Sequence, residues 1–155
     1  MMTTIRLKTY IKAPIKEVFD VSRSIDFHLH SAKKTKEKAI AGITTGLIGL
    51  NETVTWRGKH FGIYLTHQSK ITTFDSPNHF TDEMIKGHFK SFKHQHIFQN
   101  KDAGTEMTDI LHYETPYGVC GKVFDKIILK KYLTTFLTSR NRSIKLYVEA
   151  KKLEK

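Results

Sequence analysis

Six ionisable residues carry most of the chemistry available to this sequence: Glu52, Asp82, His94, His96, Asp109 and Arg140. Each falls among apolar neighbours at strand or helix spacing. Val54 and Trp56 share parity with Glu52, Phe80 and Met84 with Asp82, and Phe92 and Phe98 with His94 and His96. Met107, Leu111 and Tyr113 do so with Asp109. Alternate residues of a strand point to one side, so all five side chains are expected to point inward. On the last apolar stripe, helical geometry puts Arg140 within about 20° of Leu133 and between Phe136 and Ile144. An unpaired buried charge is costly, so these groups must satisfy one another, water or a bound molecule. A hairpin with Asp102-Ala103 at its tip sets His96 opposite Asp109 and Phe98 opposite Met107. A carboxylate beside an imidazole orients one ring nitrogen and favours its protonated form.

Several chemistries fit such a set. It is an internal network that fixes register, the polar end of a ligand pocket, or a catalytic pair with His96 as general base and Asp109 behind it. His94 and His96 also present two imidazoles on one strand face, where Glu52, Asp82 or Asp109 would complete a zinc site. That motif is short in a chain with nine histidines, and neither metal nor cofactor is assigned from it. His28 and His30 diverge by about 200° around a helix and make a weaker pair. The sequence contains no Walker A, GxGxxG or GxSxG pattern, and Cys120 is its single cysteine, which excludes an internal disulfide.

The elements that position these residues follow from periodicity. Residues 4–11 alternate as a half-buried strand that ends at Ala13-Pro14. Two short helices follow, the second capped by Ser24 and reaching His30. From Lys38 to Tyr113 the pattern is one of successive strands. Breaks are expected at residues 42–51, at Arg57-Gly58-Lys59, at residues 75–78, near Gly87 and at residues 100–104. After Pro116 the period is helical, with Leu129, Leu133, Phe136, Leu137, Ile144 and Tyr147 in one stripe. The predicted class is α+β: a curved antiparallel sheet of about seven strands wrapped around a long C-terminal helix, with two short helices after the first strand.

Length and composition set bounds on this reading. The 155 residues suit a single domain, residues 1–155, and 39% hydrophobic content supports a core. The formal net charge is +11, which brings nucleic acid, acidic membranes and anionic small molecules into consideration. Residues 117–155 hold ten basic side chains against three acidic ones, mostly off the apolar stripe, so the excess reads mainly as a solvated helix face. No nucleic-acid-binding pattern accompanies it, and nucleic acid is not an expected partner. No apolar run reaches transmembrane or signal-peptide length, and one cysteine suits a reducing compartment, so the expected location is the cytoplasm.

The chain resembles the SRPBCC, START-like superfamily of helix-grip proteins that includes the birch-pollen-allergen (Bet v 1-like) fold. More closely, it resembles the bacterial ligand-binding SRPBCC branch, sometimes described as related to cell-division inhibitors. The resemblance rests on Ile11-Lys12-Ala13-Pro14-Ile15-Lys16-Glu17-Val18-Phe19 and Gly46-Leu47-Ile48-Gly49-Leu50-Asn51-Glu52-Thr53-Val54-Thr55-Trp56-Arg57. It continues through Phe80-Thr81-Asp82, His94-Gln95-His96-Ile97-Phe98, Gly104-Thr105-Glu106-Met107-Thr108-Asp109, Tyr113-Glu114-Thr115-Pro116-Tyr117-Gly118 and Arg140. It implies the helix-grip fold and a pocket in which Glu52, Trp56, Asp82, His94, His96, Asp109, Tyr113 and Arg140 take part. It assigns no reaction.

The expected function is therefore to hold a small hydrophobic or amphipathic molecule in an internal cavity. Glu52, Asp82, His94, His96, Asp109 and Arg140 would orient its polar end, with Trp56, Phe80, Phe92, Phe98, Leu133 and Phe136 around its body. A cyclase- or hydrolase-type enzyme using His96 and Asp109 is the first alternative. Association of the basic surface with nucleic acid or acidic membrane is the second.

Overall fold

The computed structural model describes residues 2–154, so Lys155, counted above in the basic excess, lies outside the described residues. Strand β1 (Thr3–Ile11) keeps the expected alternation, with Ile5 and Ile11 buried and Thr4, Arg6 and Lys8 more open to solvent. Helix α1 (Ile15–Ser22) begins directly after Pro14 and buries Val18 and Phe19. In α2 (Ile25–Ser31), the Ser24 hydroxyl accepts the Phe27 N–H at 3.1 Å, as the sequence predicts. A single 3₁₀ turn (Lys33–Thr35) leads into β2 (Lys38–Gly42).

Strands β3 (Thr53–His60), β4 (Ile63–Asp75), β5 (His79–Lys86), β6 (Ser91–Lys101) and β7 (Gly104–Glu114) follow as an antiparallel meander. The seven-stranded order is β1-β7-β6-β5-β4-β3-β2, so α1 and α2 carry the chain from one edge to the other. Asp102-Ala103 forms the β6–β7 tip, and His96 does face Asp109 across the ladder. The register shifts at residues 39–41, 68–69 and 71–73, the kind of irregularity that bends a strand and increases its twist.

One expected break is absent. Strand β3 runs through Arg57-Gly58-Lys59, and the chain reverses at Phe61 (φ 52°) and Gly62 (φ 81°), the positive pair of a tight hairpin. Gly58 instead lies buried between the inward positions of Trp56 and His60. A side chain there would press on His60 and Glu37.

The C-terminal helix is α3 (Gly118–Phe124), a π-helical turn (Asp125–Leu129) and α4 (Lys130–Leu153). At 24 residues, α4 spans ~36 Å and crosses the concave face. Phe19 anchors one apolar cluster, with the rings of Phe74, Phe80 and Phe98 edge-on at 5.3–5.5 Å. Ile5, Leu111, Tyr113, Leu129 and Leu137 form a second. The Tyr113 hydroxyl and Thr3 both donate to Asp125, which ties the π-turn to the sheet. Tyr147, expected in the buried stripe, is half-exposed, and Val148 occupies the buried position. Among the described residues, no helix is long and apolar enough to cross a membrane.

Close backbone approach makes one helical glycine testable. A Cβ on Gly121 would sit 1.9 Å from the Pro116 carbonyl oxygen, whereas helix propensity alone favours alanine by about 1 kcal/mol. Gly121→Ala is expected to lower Tm, because α3 must lift from Pro116. A thermal melt showing a higher Tm would refute this packing.

Candidate functional site

Between the concave sheet and α4 lies a cavity of about 250 Å³. Its wall is mainly apolar, with Trp56 from β3, Phe80 from β5, Phe92 from β6, and Leu133 and Phe136 from α4. One end is polar, where Asp82, His94, His96 and Arg140 converge.

Strand pairing creates this convergence. Asp82 and His94 face each other across β5–β6, and His96 lies one inward position further along β6. The two imidazoles lie side by side, ring centroids 3.8 Å apart, between two carboxylates. His96 Nε2 lies 2.7 Å from Asp82 Oδ2, and His94 Nε2 lies 2.8 Å from Asp109 Oδ1. His96 Nδ1 is 3.5 Å from Asp109 Oδ1 and makes no hydrogen bond. The phenyl ring of Phe80 stacks on His96 at 4.2 Å.

The network closes through α4. Asn141 Nδ2 donates to Asp109 Oδ2 at 2.6 Å, and Arg140 Nη1 donates to Asn141 Oδ1 at 3.1 Å. Arg140 Nη2 reaches the Ser22 carbonyl at 3.0 Å and thereby holds α1. Burial raises the Asp109 pKa, but the His94 hydrogen bond and the positive field of His94 and Arg140 outweigh it and leave the carboxyl below the ordinary range. Asp82 behaves alike: burial opposes ionisation, and the bond from His96 with the histidine charges holds it down at about 2. His96 is pushed down to about 4, first by burial and then by His94, against the pull of Asp82. At neutral pH Asp82 is therefore ionised and His96 neutral, with its Nε2–H directed at Asp82.

The hydrogen bonds do not follow the ladder register. His96 and Asp109 are opposite in the ladder, yet their side chains are not hydrogen-bonded; each takes a diagonal partner. Both His96 nitrogens face protein carboxylates, Nε2 toward Asp82 and Nδ1 toward Asp109.

Of the other expected pocket residues, Trp56, Phe80, Asp82, Phe92, His94, Leu133, Phe136 and Arg140 line the cavity. Asp109 lies behind the histidines with no exposed side-chain surface. Phe98 and Tyr113 are buried in the two apolar clusters and support the wall from behind. Glu52 precedes β3, where its backbone bonds Gly49 and Ile71, and it is outside the lining.

A second polar wall has no counterpart in the sequence reading. His28 Nε2 meets Glu37 Oε1 at 2.9 Å, His60 Nδ1 meets the Tyr132 hydroxyl at 2.7 Å, and His67 packs edge-on against Phe92. The His28 ring also lies 4.2 Å from Trp56. Burial raises the Glu37 pKa, but His28 more than compensates and keeps it lowered, while burial depresses His60 and His67. His67 pairs with Trp56 across β3–β4, so a correctly placed turn would have revealed it. Glu37, on a connection, follows no periodicity.

Among the described residues, Asp82, His94 and His96 also form a group able to hold a metal, because one potential ligand atom from each lies within 4.8 Å of the others. The site as a whole offers carboxylate, imidazole and guanidinium groups at one end of an apolar chamber. That combination suits an amphipathic guest.

By sequence, the chain matches no protein-family model and no curated protein. By structure the likeness is extensive. TTHA0849 from Thermus thermophilus aligns with a TM-score of 0.72 and 17% identity, over 92% of this chain and 97% of that one. Ginseng major latex-like protein 151 from Panax ginseng gives 0.66 and 18%, over 95% and 97%. Ms6760 from Mycobacterium smegmatis gives 0.69 and 14%, over 96% and 92%. The protein has the Bet v 1-like, helix-grip fold, as its sequence motifs predict.

The buried network predicts acid sensitivity. An unfolded histidine gains its proton near pH 6.5, whereas folded His96 resists it to about 4. The unfolded state thus binds more protons across that window, and stability falls as pH drops through it. Asp82 acts in the same direction lower down, its stabilisation being lost between its unfolded value of 3.8 and about 2. In chelator-treated protein, Tm is expected to fall by several degrees between pH 6.5 and 4, and His96→Asn should flatten that slope. An unchanged slope in the variant would place the acid sensitivity elsewhere.

Proposed function

We propose that the protein binds a small hydrophobic or amphipathic molecule in the cavity between sheet and helix. The observation that carries this reading is a chamber of about 250 Å³ with an aromatic body and a polar end. Arg140 supports an acidic head group, since its two anchors, Asn141 and the Ser22 carbonyl, use only part of the donor capacity of a guanidinium. The lone Cys120 is consistent with action in the cytoplasm.

Trp56 is the sole tryptophan and lines the cavity, so its emission reports occupancy. Anilinonaphthalene sulfonate, an amphipathic anion, is expected to bind saturably and perturb that emission. Leu133→Trp, which fills the chamber, should weaken binding at least tenfold while leaving the far-UV circular dichroism unchanged. Equal binding by wild type and variant would put the probe outside the cavity. Mass spectrometry of gently purified protein would identify a retained natural ligand.

A second reading, association with an acidic membrane, is favoured by one surface. Val119, Val123 and Ile127 are exposed along α3 and the π-turn, beside Lys122, Lys126 and Lys130. Phe61 connects this face to the cavity, because it lines the chamber and lies 5.6 Å from Phe124. Apolar residues among lysines suit an anionic bilayer better than nucleic acid. Sedimentation with phosphatidylserine vesicles should exceed that with phosphatidylcholine, and should fall with salt and in a Val123→Asp/Ile127→Asp variant. Indifference to both changes would remove this reading.

A further inference from the structure

We propose that Asp82, His94 and His96 form a binding site for a divalent transition metal, with Asp109 as the buried carboxylate that orients both imidazoles. This goes beyond the small-molecule reading and does not depend on it. It rests on how four ring nitrogens are distributed between two carboxylates.

Each ring has one nitrogen toward Asp82 and one toward Asp109. On the Asp82 side, Oδ2 lies 2.7 Å from His96 Nε2 and 4.0 Å from His94 Nδ1. On the Asp109 side, Oδ1 lies 2.8 Å from His94 Nε2 and 3.5 Å from His96 Nδ1. A neutral imidazole supplies one N–H, so neutral His96 can donate to only one of its two carboxylates. With the His96 proton on Nε2, its Nδ1 is left buried with no hydrogen-bond partner. Such an orphan is uncommon in a folded interior.

A cation on the Asp82 side resolves the mismatch. Bound to His94 Nδ1, His96 Nε2 and Asp82 Oδ2, it requires both ring protons on the opposite nitrogens. Both N–H groups then face Asp109 Oδ1, and the His96 orphan becomes a donor directed at a carboxylate 3.5 Å away, close enough to bond after a small approach. The outer carboxylate that receives the free N–H of a ligating histidine is a recurrent part of metal sites, where it fixes tautomer and ring orientation. Asp109 is already prepared for that role, because Asn141 holds its other oxygen at 2.6 Å.

The required rearrangement is small. Ligand bonds of about 2.0–2.1 Å in tetrahedral geometry separate ligand atoms by about 3.3 Å, between the 2.7 and 4.0 Å found on the Asp82 side. Asp82 is the most accessible member, with 21% of its side chain exposed against 8% and 4% for the histidines, and so is the ligand freest to move. Two imidazoles and one carboxylate suit Zn²⁺ and neighbouring first-row dications rather than Mg²⁺ or Ca²⁺. All three ligands line the cavity, so the remaining coordination position opens toward a guest. With the two carboxylates and Arg140 nearby, a dication leaves the cluster with one excess positive charge, which favours an anionic oxygen at that position.

The test is titration of metal-free full-length protein with Co²⁺ and Zn²⁺, followed by visible absorption and isothermal calorimetry. Side-chain ¹⁵N spectra of the histidines complete it. One equivalent of Zn²⁺ is expected to bind, with His94 coordinated through Nδ1 and His96 through Nε2, and with both opposite nitrogens protonated. Asp82→Asn should reduce affinity at least hundredfold with circular dichroism unchanged. Absence of stoichiometric binding would overturn the proposal, as would full affinity in Asp82→Asn or metal-dependent shifts confined to other histidines. If Asp82→Asn fails to fold, the wild-type ¹⁵N tautomers decide the question alone.

Discussion

The buried carboxylate of Asp109 is the interaction on which the rest of the interior depends. A charge with no exposed side-chain surface costs several kcal/mol to desolvate unless its lone pairs are filled. Here they are filled from three directions. His94 comes from the neighbouring strand, Asn141 from the terminal helix, and the Arg140 guanidinium approaches to 3.7 Å. Arg140 in turn holds the last carbonyl of α1. One anion therefore fixes the relative placement of β6, β7, α4 and α1, and removing any one donor would leave it partly unpaired.

The cavity follows from the same constraint combined with sheet curvature. Register shifts interrupt the pairing from β2 to β5, and a cavity remains between sheet and helix. Phe19 and its three partner rings close one flank, and the cluster of Ile5, Leu111, Tyr113, Leu129 and Leu137 closes another. The remaining space is lined by aromatic side chains and terminates at the histidine–aspartate cluster. The internal network and the cavity lining share atoms in the structure. Asp109 and Asn141 face the protein, while Asp82 and Arg140 face the chamber.

This division of labour bears on chemistry. His96 is enclosed by two carboxylates and a stacked phenyl ring, which fix the position of its imidazole. His28, Glu37, His60 and Tyr132 also line the chamber, in two separate hydrogen-bonded pairs.

Strand parity alone determined which polar residues turn inward. Alternation is a local property, so it selects Asp82, His94, His96 and Asp109 without knowledge of the fold, and the Asp102-Ala103 tip sets His96 opposite Asp109. Helical spacing likewise puts Arg140 on the apolar stripe. Parity fails where the turn is misplaced: a break at Gly58 rather than at Phe61-Gly62 hides the pairing of His67 with Trp56. Glu52 has the correct parity but sits before its strand begins. Only the tertiary structure decided that the imidazole–carboxylate bonds run diagonally, that Asn141 completes them, and that Glu37 enters the chamber. Those outcomes depend on distances of a few ångströms between segments far apart in the chain. The period of a single segment carries no information about such distances.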